Sequence, residues 1–232
     1  MSILKKTIYY YPFFGPATDS GKEYTQNPFA EKDIDFPLEP QFDLHEKLNY
    51  TKCPAWQHIA TSSYAVRSPI SLWVEYDIKQ GALSSDLYPE QFDELIVGTG
   101  GRDGIWKGEN EIVFQFQFGY LFWTDHKNVW VEQAQYPTTL VKNNFEIVEG
   151  RFPISVWNRG IPFAVRMRNL NEVLRIERGD ILYFIRFFSD FDRFKLVKKV
   201  PSPDIVNKSY RHQKIKHWLR NESWGLIKKR LI

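Results

Sequence analysis

Alternating hydrophobic and polar positions dominate the chain from about residue 59 to residue 200. In the segment 111–118, Ile112, Phe114 and Phe116 share one face while Gln115 and Gln117 share the other. This period of two predicts a half-buried strand. Similar runs predict strands at 59–66, 72–78, 92–97, 111–118, 120–124, 128–134, 152–158, 161–168, 172–178, 181–188 and 194–200. Clusters of Gly, Asn and Asp separate the runs as turns.

Many short strands separated by turns are typical of a β-sandwich, a jelly roll or a barrel. We therefore predict an all-β fold, an antiparallel β-sandwich or jelly roll with an extended N-terminal segment and one C-terminal helix. The run at 181–188 is apolar on both faces, which predicts a central strand between two layers.

Both ends of the chain depart from this pattern. Residues 3–14 are predicted to be extended, and the proline-punctuated run that follows is predicted to pack on the body through spaced aromatic side chains. Ser202-Pro203-Asp204 combines a capping hydroxyl, a proline and an acid, which predicts a helix over 203–223 that stops at Gly225. The predicted division is an extended segment at 1–55, a β body at 56–201 and a basic helix and tail at 202–232, all in one structural domain.

Aromatic residues are frequent: 18 Phe, 12 Tyr and 8 Trp make up 16% of the 232 residues. On strand faces such rings favour a thick two-layer core, because aromatic cross-strand pairs stabilise sheets. Exposed rings would instead stack on sugars or bases. The single cysteine, Cys53, cannot form an internal disulfide, and we expect an inert packed thiol in a reducing compartment.

The net charge of +3 conceals an asymmetry along the chain. Ten Lys or Arg side chains lie between Lys198 and Ile232 against two acids, Asp204 and Glu222, a balance of +8 that leaves −5 for the remainder. A basic tail of this kind can bind nucleic acid, a membrane surface or an acidic partner. The alternative is that the helix lies against the acidic body or presents a solvated face.

The usual signatures of catalysis are missing. The five histidines are His45, His58, His126, His212 and His217, and none has an acid two residues on, so we predict neither a metal nor a cofactor. No Gly-x-Ser-x-Gly elbow occurs. The run 98–104 is rich in glycine but lacks the Gly-Lys-Ser/Thr ending of a phosphate loop, so it is predicted to be a hairpin loop. Arg178-Gly179-Asp180 is predicted to be a turn.

Two sets of residues remain as candidates for ligand or partner contact. Trp157, Asn158 and Arg159 place a planar ring, an amide and a fork-shaped donor at the end of a predicted strand. The second set is the basic side chains of the C-terminal helix, Arg211, Lys214, Lys216 and Arg220. They predict attraction to an acidic partner.

From about Cys53 onward the chain resembles an uncharacterised family of small β-rich proteins from tailed phages of marine cyanobacteria and from bacteria. The residues that carry the resemblance are Cys53-Pro54, Leu72-Trp-Val-Glu75, 116–124 (FQFGYLFWT), Asn144-Phe-Glu146, 152–157 (FPISVW) and 175–183 (RIERGDILY). The resemblance implies a phage or bacterial setting, hence a host cytoplasm or a virion. It implies no activity, cofactor or site residue.

These observations together favour a binding function. The N-terminus shows no signal peptide and the longest apolar stretch is eight residues with an internal arginine, so we expect a soluble cytoplasmic protein. The first hypothesis is a non-catalytic, phage-type binding or assembly module that uses an aromatic β face and the basic tail. Its partner would be another protein or a second copy, or nucleic acid through the tail. The alternative is a metal-dependent oxygenase or sugar-modifying enzyme on a double-stranded β-helix, and a weaker one is a carbohydrate-binding module.

Overall fold

Fourteen strands and two helices make up the described part of the chain. The computed structural model describes residues 6–14, 38–40, 53–60, 62–80, 82–86, 96–97, 111–135, 145–167, 169–189 and 194–218. The strands are β1 (Lys6–Phe14), β2 (Glu39–Pro40), β3 (Ser63–Arg67), β4 (Leu72–Asp77), β5 (Ala82–Ser85), β6 (Ile96–Val97), β7 (Ile112–Trp123), β8 (Trp130–Ala134), β9 (Glu146–Ile147), β10 (Gly150–Phe152), β11 (Arg159–Met167), β12 (Leu174–Ile176), β13 (Ile181–Phe188) and β14 (Phe194–Lys198). The helices are α1 (Pro54–Ala60) and α2 (Pro203–Trp218).

The strands form three sheets. Sheet A has the order β14-β1-β7-β11-β9, and β6 also pairs with β7. Sheet B has the order β10-β8-β13-β3-β2, and sheet C is the three-stranded β12-β4-β5. Among the described pairs only β1 and β14 run parallel. The prediction of an all-β, mainly antiparallel fold is confirmed, and β13 is the central strand of sheet B.

Sheets A and B pack face to face through aromatic rings. Phe163 of β11 meets Tyr183 of β13 with ring centroids 5.1 Å apart, and Phe122 of β7 meets Phe187 edge-on at 5.4 Å. All four side chains are buried. Rings of this size bury large apolar areas, so they supply much of the favourable free energy of the sandwich. Much of the aromatic excess of the sequence therefore forms a core between two layers.

The N-terminal strand is part of this core. β1 lies between β14 and β7, with Ile8 and Tyr10 buried. Pairing with β14 ends at Tyr10, and pairing with β7 continues to Phe14. Pro12, which has no N–H to donate, is accommodated inside β1 because the described pairing with β14 ends at Tyr10. Of the predicted wrap that follows, 15–37 and 41–52 lie outside the described residues.

The C-terminal helix starts where the sequence predicts. Ser202 Oγ accepts a hydrogen bond from Ile205 N at 3.5 Å, and Val206 N donates to Ser202 O at 3.1 Å. The helix packs against β11, and it is described as far as Trp218. The predicted end at 223 and the stop at Gly225 lie outside the described residues.

Three local predictions are wrong. Residues 54–60 form α1, at whose start Gln57 N donates a hydrogen bond to Cys53 O at 2.9 Å. The strand predicted at 59–66 therefore starts only at Ser63. The strand predicted at 152–158 ends at Phe152, because Pro153 has no N–H for a ladder and its carbonyl accepts from Val156 and Trp157 in a turn. The two strands predicted at 111–118 and 120–124 are one strand, β7.

Gly119 allows β7 to continue. A Cβ added there would lie 2.4 Å from the carbonyl oxygen of Ile161 on β11. The register of β11 against β7 shifts between Ile161 and Phe163, so the two backbones approach closely at this irregularity. Only glycine fits such a contact without a shift of the backbone.

We expect Gly119→Ala to destabilise the fold by about 1–3 kcal/mol, the cost typical of forcing an extra carbon into a packed site. Urea unfolding followed by circular dichroism measures the change. The matched control is Gly150→Ala in β10, where the added carbon would meet only the Phe152 ring at 3.4 Å, with an expected change within about 0.5 kcal/mol. Equal stabilities of the two variants would contradict the conclusion that the contact with the Ile161 carbonyl requires glycine at position 119.

Candidate functional site

The outer face of sheet B carries a cluster of arginine and aromatic side chains. On β13, Ile185 and Phe187 are buried in the core, so Arg186 and Phe188 point to the other side. The same alternation on β8 turns Trp130 and Glu132 outward while Val131 is buried. We call Trp130, Glu132, Arg151, Arg186 and Phe188 the arginine–aromatic patch.

Strand register brings the patch together. Phe188 pairs directly with Trp130, and Arg186 pairs with Glu132. On the other side of β8, Arg151 of β10 also pairs with Glu132. One carboxylate therefore lies between two guanidinium groups on three neighbouring strands. The same face is buried farther along at Phe184 and Ala134, so the patch occupies one end of it.

Short contacts fix the orientation of both arginines. The Arg151 guanidinium lies 4.6 Å from the centroid of the Phe188 ring, and Arg151 Nη2 is 2.9 Å from Glu132 Oε2. Arg186 lies 5.9 Å from the same ring. Its Nε donates a hydrogen bond to Ser63 Oγ at 3.2 Å. The Phe188 ring thus has two cations within cation–π range.

The patch is positive and accessible. Two positively charged guanidinium groups face one carboxylate. The Arg151 side chain is 56% exposed and that of Glu132 is 20% exposed. An ion pair this open contributes about 0–1 kcal/mol to stability. The Arg151–Glu132 ion pair therefore contributes little to the stability of the fold. Planar guanidinium groups beside aromatic rings are, in contrast, well suited to bind anions.

The structure describes the side chains of two of the three residues in the first predicted contact set. The Trp157 ring is buried, 6% exposed, and meets the Phe152 ring edge-on at 6.4 Å, so it offers no open stacking surface. Asn158 is half-buried. Arg159 is the first residue of β11, and its side chain lies outside the described part.

The predicted basic set lies on or beyond α2. Arg211 is exposed, as is Lys208, which the sequence analysis did not select. Lys214 and Lys216 fall within α2, but their side chains are not among those described, and Arg220 lies outside the described residues. The inner side of β11 meets sheet B through Phe163, so α2, which packs on β11, occupies the outer side of sheet A.

The connection to α2 is held on sheet A. Lys199 N donates to Tyr10 O at 3.1 Å, and Lys199 Nζ lies 4.8 Å from the centroid of the Tyr9 ring. Tyr9 in turn stacks on Trp123 at 5.7 Å. These contacts place the start of the basic segment on the face of the sandwich opposite the patch.

The other predicted motifs add no chemistry. Within the described ranges, no three His, Cys, Asp or Glu side chains are grouped to hold a metal ion. The glycine-rich run 98–104 lies outside those ranges. Arg178-Gly179-Asp180 is a turn, as predicted, with Gly179 at a φ of 91° that favours glycine. Cys53 is exposed, so the prediction of a packed thiol is wrong. No helix in the described part is long and apolar enough to cross a membrane.

A second polar cluster lies inside the sandwich. Burial raises the pKa of Tyr183 well above its usual range, and a hydrogen bond with the Gln133 side chain offsets only part of that effect. Burial also raises the pKa of Tyr120, and the nearby Tyr183 and Tyr10 raise it further. The hydroxyls therefore stay protonated at neutral pH and act as hydrogen-bond groups of the core rather than as bases.

The patch was not predicted from the sequence, because the register of three strands determines which side chains form it. The isolated Arg186 inside an apolar run, with Phe188 two residues on, was an available signal for an outward-facing pair. That Arg151 and Glu132 join this pair depends on how three separate strands align. A single sequence does not specify that alignment.

The buried tyrosines predict a loss of stability in alkali. Tyr183 ionises in the unfolded chain near pH 10 but stays neutral in the folded chain, so its contribution is complete below that pH and decreases above it by up to about 1.4 kcal/mol per pH unit. In Tyr183→Phe this contribution is absent, and the free energy of unfolding should fall less steeply above about pH 10. Urea titrations at a series of pH values measure both slopes, and identical slopes would contradict the prediction.

Comparisons with known proteins leave the function open. No family model and no curated protein matches this chain. Similar solved structures include a mutant dUTPase of Staphylococcus bacteriophage 80alpha, with 9% identity over 61% of this chain and 87% of that one, at a TM-score of 0.33. A mutant dUTPase from phage phi11 of S. aureus has 8% identity over 62% and 85% of the two chains, also at 0.33. At these values the similarity carries no argument about function.

Proposed function

We propose that this protein is a non-catalytic, phage-type binding or assembly module that holds an anionic partner on the arginine–aromatic patch. The observation that carries the proposal is the Arg151 guanidinium stacked on Phe188 while more than half of the arginine side chain stays exposed. The Phe188 ring and Glu132 already restrict the Arg151 guanidinium. Binding of a ligand therefore costs less arginine side-chain entropy than binding to an unrestricted arginine would.

The composition of the patch supports a binding role. Aromatic residues and arginine are enriched in protein interfaces and supply most of their binding hot spots. Trp130 and Phe188 are half-buried rings on a sheet face, and Arg186 is half-buried beside them. Polar contacts with Glu132 and with the buried Ser63 hold Arg151 and Arg186 in fixed positions.

The basic C-terminal helix is the second contact in this proposal. Lys208 and Arg211 are exposed on α2, on the other side of the sandwich. Their charge attracts anionic partners from solution and raises the rate of encounter. The oriented arginines of the patch then provide the specific contact.

The patch can be tested with immobilised heparin as a generic anionic polymer. We expect the double variant Arg151→Ala/Arg186→Ala to elute from heparin at a clearly lower salt concentration than the wild type, because two positioned cations are lost. The matched control is Arg175→Ala/Arg178→Ala, which removes two exposed arginines from sheet C and an adjoining turn. Equal shifts for the two double variants would mean that only net charge matters.

A variant in the opposite direction sharpens the test. Glu132→Gln removes the carboxylate that Arg151 contacts at 2.9 Å. We expect this variant to elute at higher salt than the wild type, because the local positive charge rises while the Phe188 ring still positions the Arg151 guanidinium. The comparison is Glu172→Gln, an exposed acid on another part of the surface. If Glu132→Gln elutes no later than Glu172→Gln, the patch does not bind the polymer.

A further inference from the structure

We infer that the anionic partner of the arginine–aromatic patch is a single-stranded nucleic acid. This inference rests on the proposed function and names its ligand. Phosphates would pair with the N–H groups of Arg151 and Arg186, and bases would stack on the Trp130 ring and on the Arg151 guanidinium that lies over Phe188. The chemistry is that of a cationic surface interleaved with aromatic platforms on a sheet.

The first argument is the placement of the two rings. Phe188 and Trp130 are directly paired residues on adjacent strands, and adjacent strands lie about 4.8 Å apart. Both rings point away from the core and both are only partly buried. Trp130, and the Arg151 guanidinium stacked over Phe188, are neighbouring planar groups on this face, and each can stack with an unpaired base.

The second argument is the position of the cations around the rings. Arg151 lies on the β10 side of Glu132, and Arg186 lies on the β13 side. Both guanidinium groups are within 6 Å of the Phe188 centroid. A base stacked beside this ring would bring its flanking phosphates close to a charged, bidentate donor on each side.

The chemistry also separates this ligand from two others. In a duplex the faces of the bases are already stacked, so a protein surface of aromatic rings has nothing to stack on. An acidic peptide would satisfy the arginines, but its carboxylates leave Trp130 and Phe188 without a planar partner. Single-stranded nucleic acid is the ligand class that uses the cations and the rings together.

The direct test is fluorescence anisotropy with the full-length protein and a labelled oligothymidylate of roughly eight nucleotides, within the range of site sizes typical of one OB-fold domain. An abasic oligomer of the same length, with the same phosphates and no bases, is the matched probe. We expect the oligothymidylate to bind more tightly than the abasic oligomer and than a duplex of equal length.

Two variants divide the contributions. Phe188→Leu keeps an apolar side chain but removes the ring under Arg151, so it should weaken oligothymidylate binding roughly tenfold and abasic binding by much less. Arg151→Ala/Arg186→Ala should weaken both, and should make the logarithmic salt dependence shallower by about 1.4. Arg175→Ala/Arg178→Ala, which removes two exposed arginines outside the patch and outside α2, controls for general charge and should change the preference for bases very little. Circular dichroism verifies that each variant is folded.

Several outcomes would overturn the inference. If the oligothymidylate and the abasic oligomer bind equally, or if Phe188→Leu weakens neither, bases are not recognised. If polyglutamate displaces the oligomer as well as unlabelled oligothymidylate does, the partner is an acidic protein. In each of these cases, heparin retention that still depends on Arg151 and Arg186 leaves the proposed function standing. Loss of that dependence on heparin removes both proposals.

Discussion

Aromatic packing between sheets A and B is the constraint on which the other features of the molecule depend. Phe163 and Phe122 of sheet A meet Tyr183 and Phe187 of sheet B at centroid distances of 5.1 and 5.4 Å. Because successive strand residues face opposite sides, burying Tyr183 and Phe187 turns Arg186 and Phe188 outward. A slip of one residue would turn the whole set over. The same packing that forms the core therefore creates the patch.

Polar and steric details fix that packing to one register. The Tyr183 hydroxyl bonds the buried Gln133 side chain, which links β13 to β8 from inside the core. An apolar core alone tolerates small shifts, but a buried hydroxyl away from its partner would cost about 1–3 kcal/mol. On sheet A, Gly119 lets β7 approach the Ile161 carbonyl at the point where the β11 register shifts. Each sheet is thus held in register by one residue whose replacement would destabilise it, Tyr183 in sheet B and Gly119 in sheet A.

Local patterns predicted the elements well, and non-local pairing explains what was missed. The limits of β13 and the start of α2 follow from apolar periodicity and from the Ser202 cap, which are properties of short segments. The prediction failed at Pro153, where one missing N–H ends a strand inside an apolar run. It also selected Trp157, because a tryptophan beside Asn and Arg gives no sign of its burial. The patch needs strands from three regions of the sequence to align, and a single sequence lacks that information.

The sandwich also separates the two cationic surfaces of the chain. Arg151 and Arg186 lie on the outer face of sheet B, while α2 packs against β11 of sheet A and presents Arg211. Stacked sheets are about 10 Å apart, and the side chains and helix outside them add to this distance. A short segment of a partner cannot contact both surfaces. A partner that uses both must either wrap around the sandwich or supply two segments.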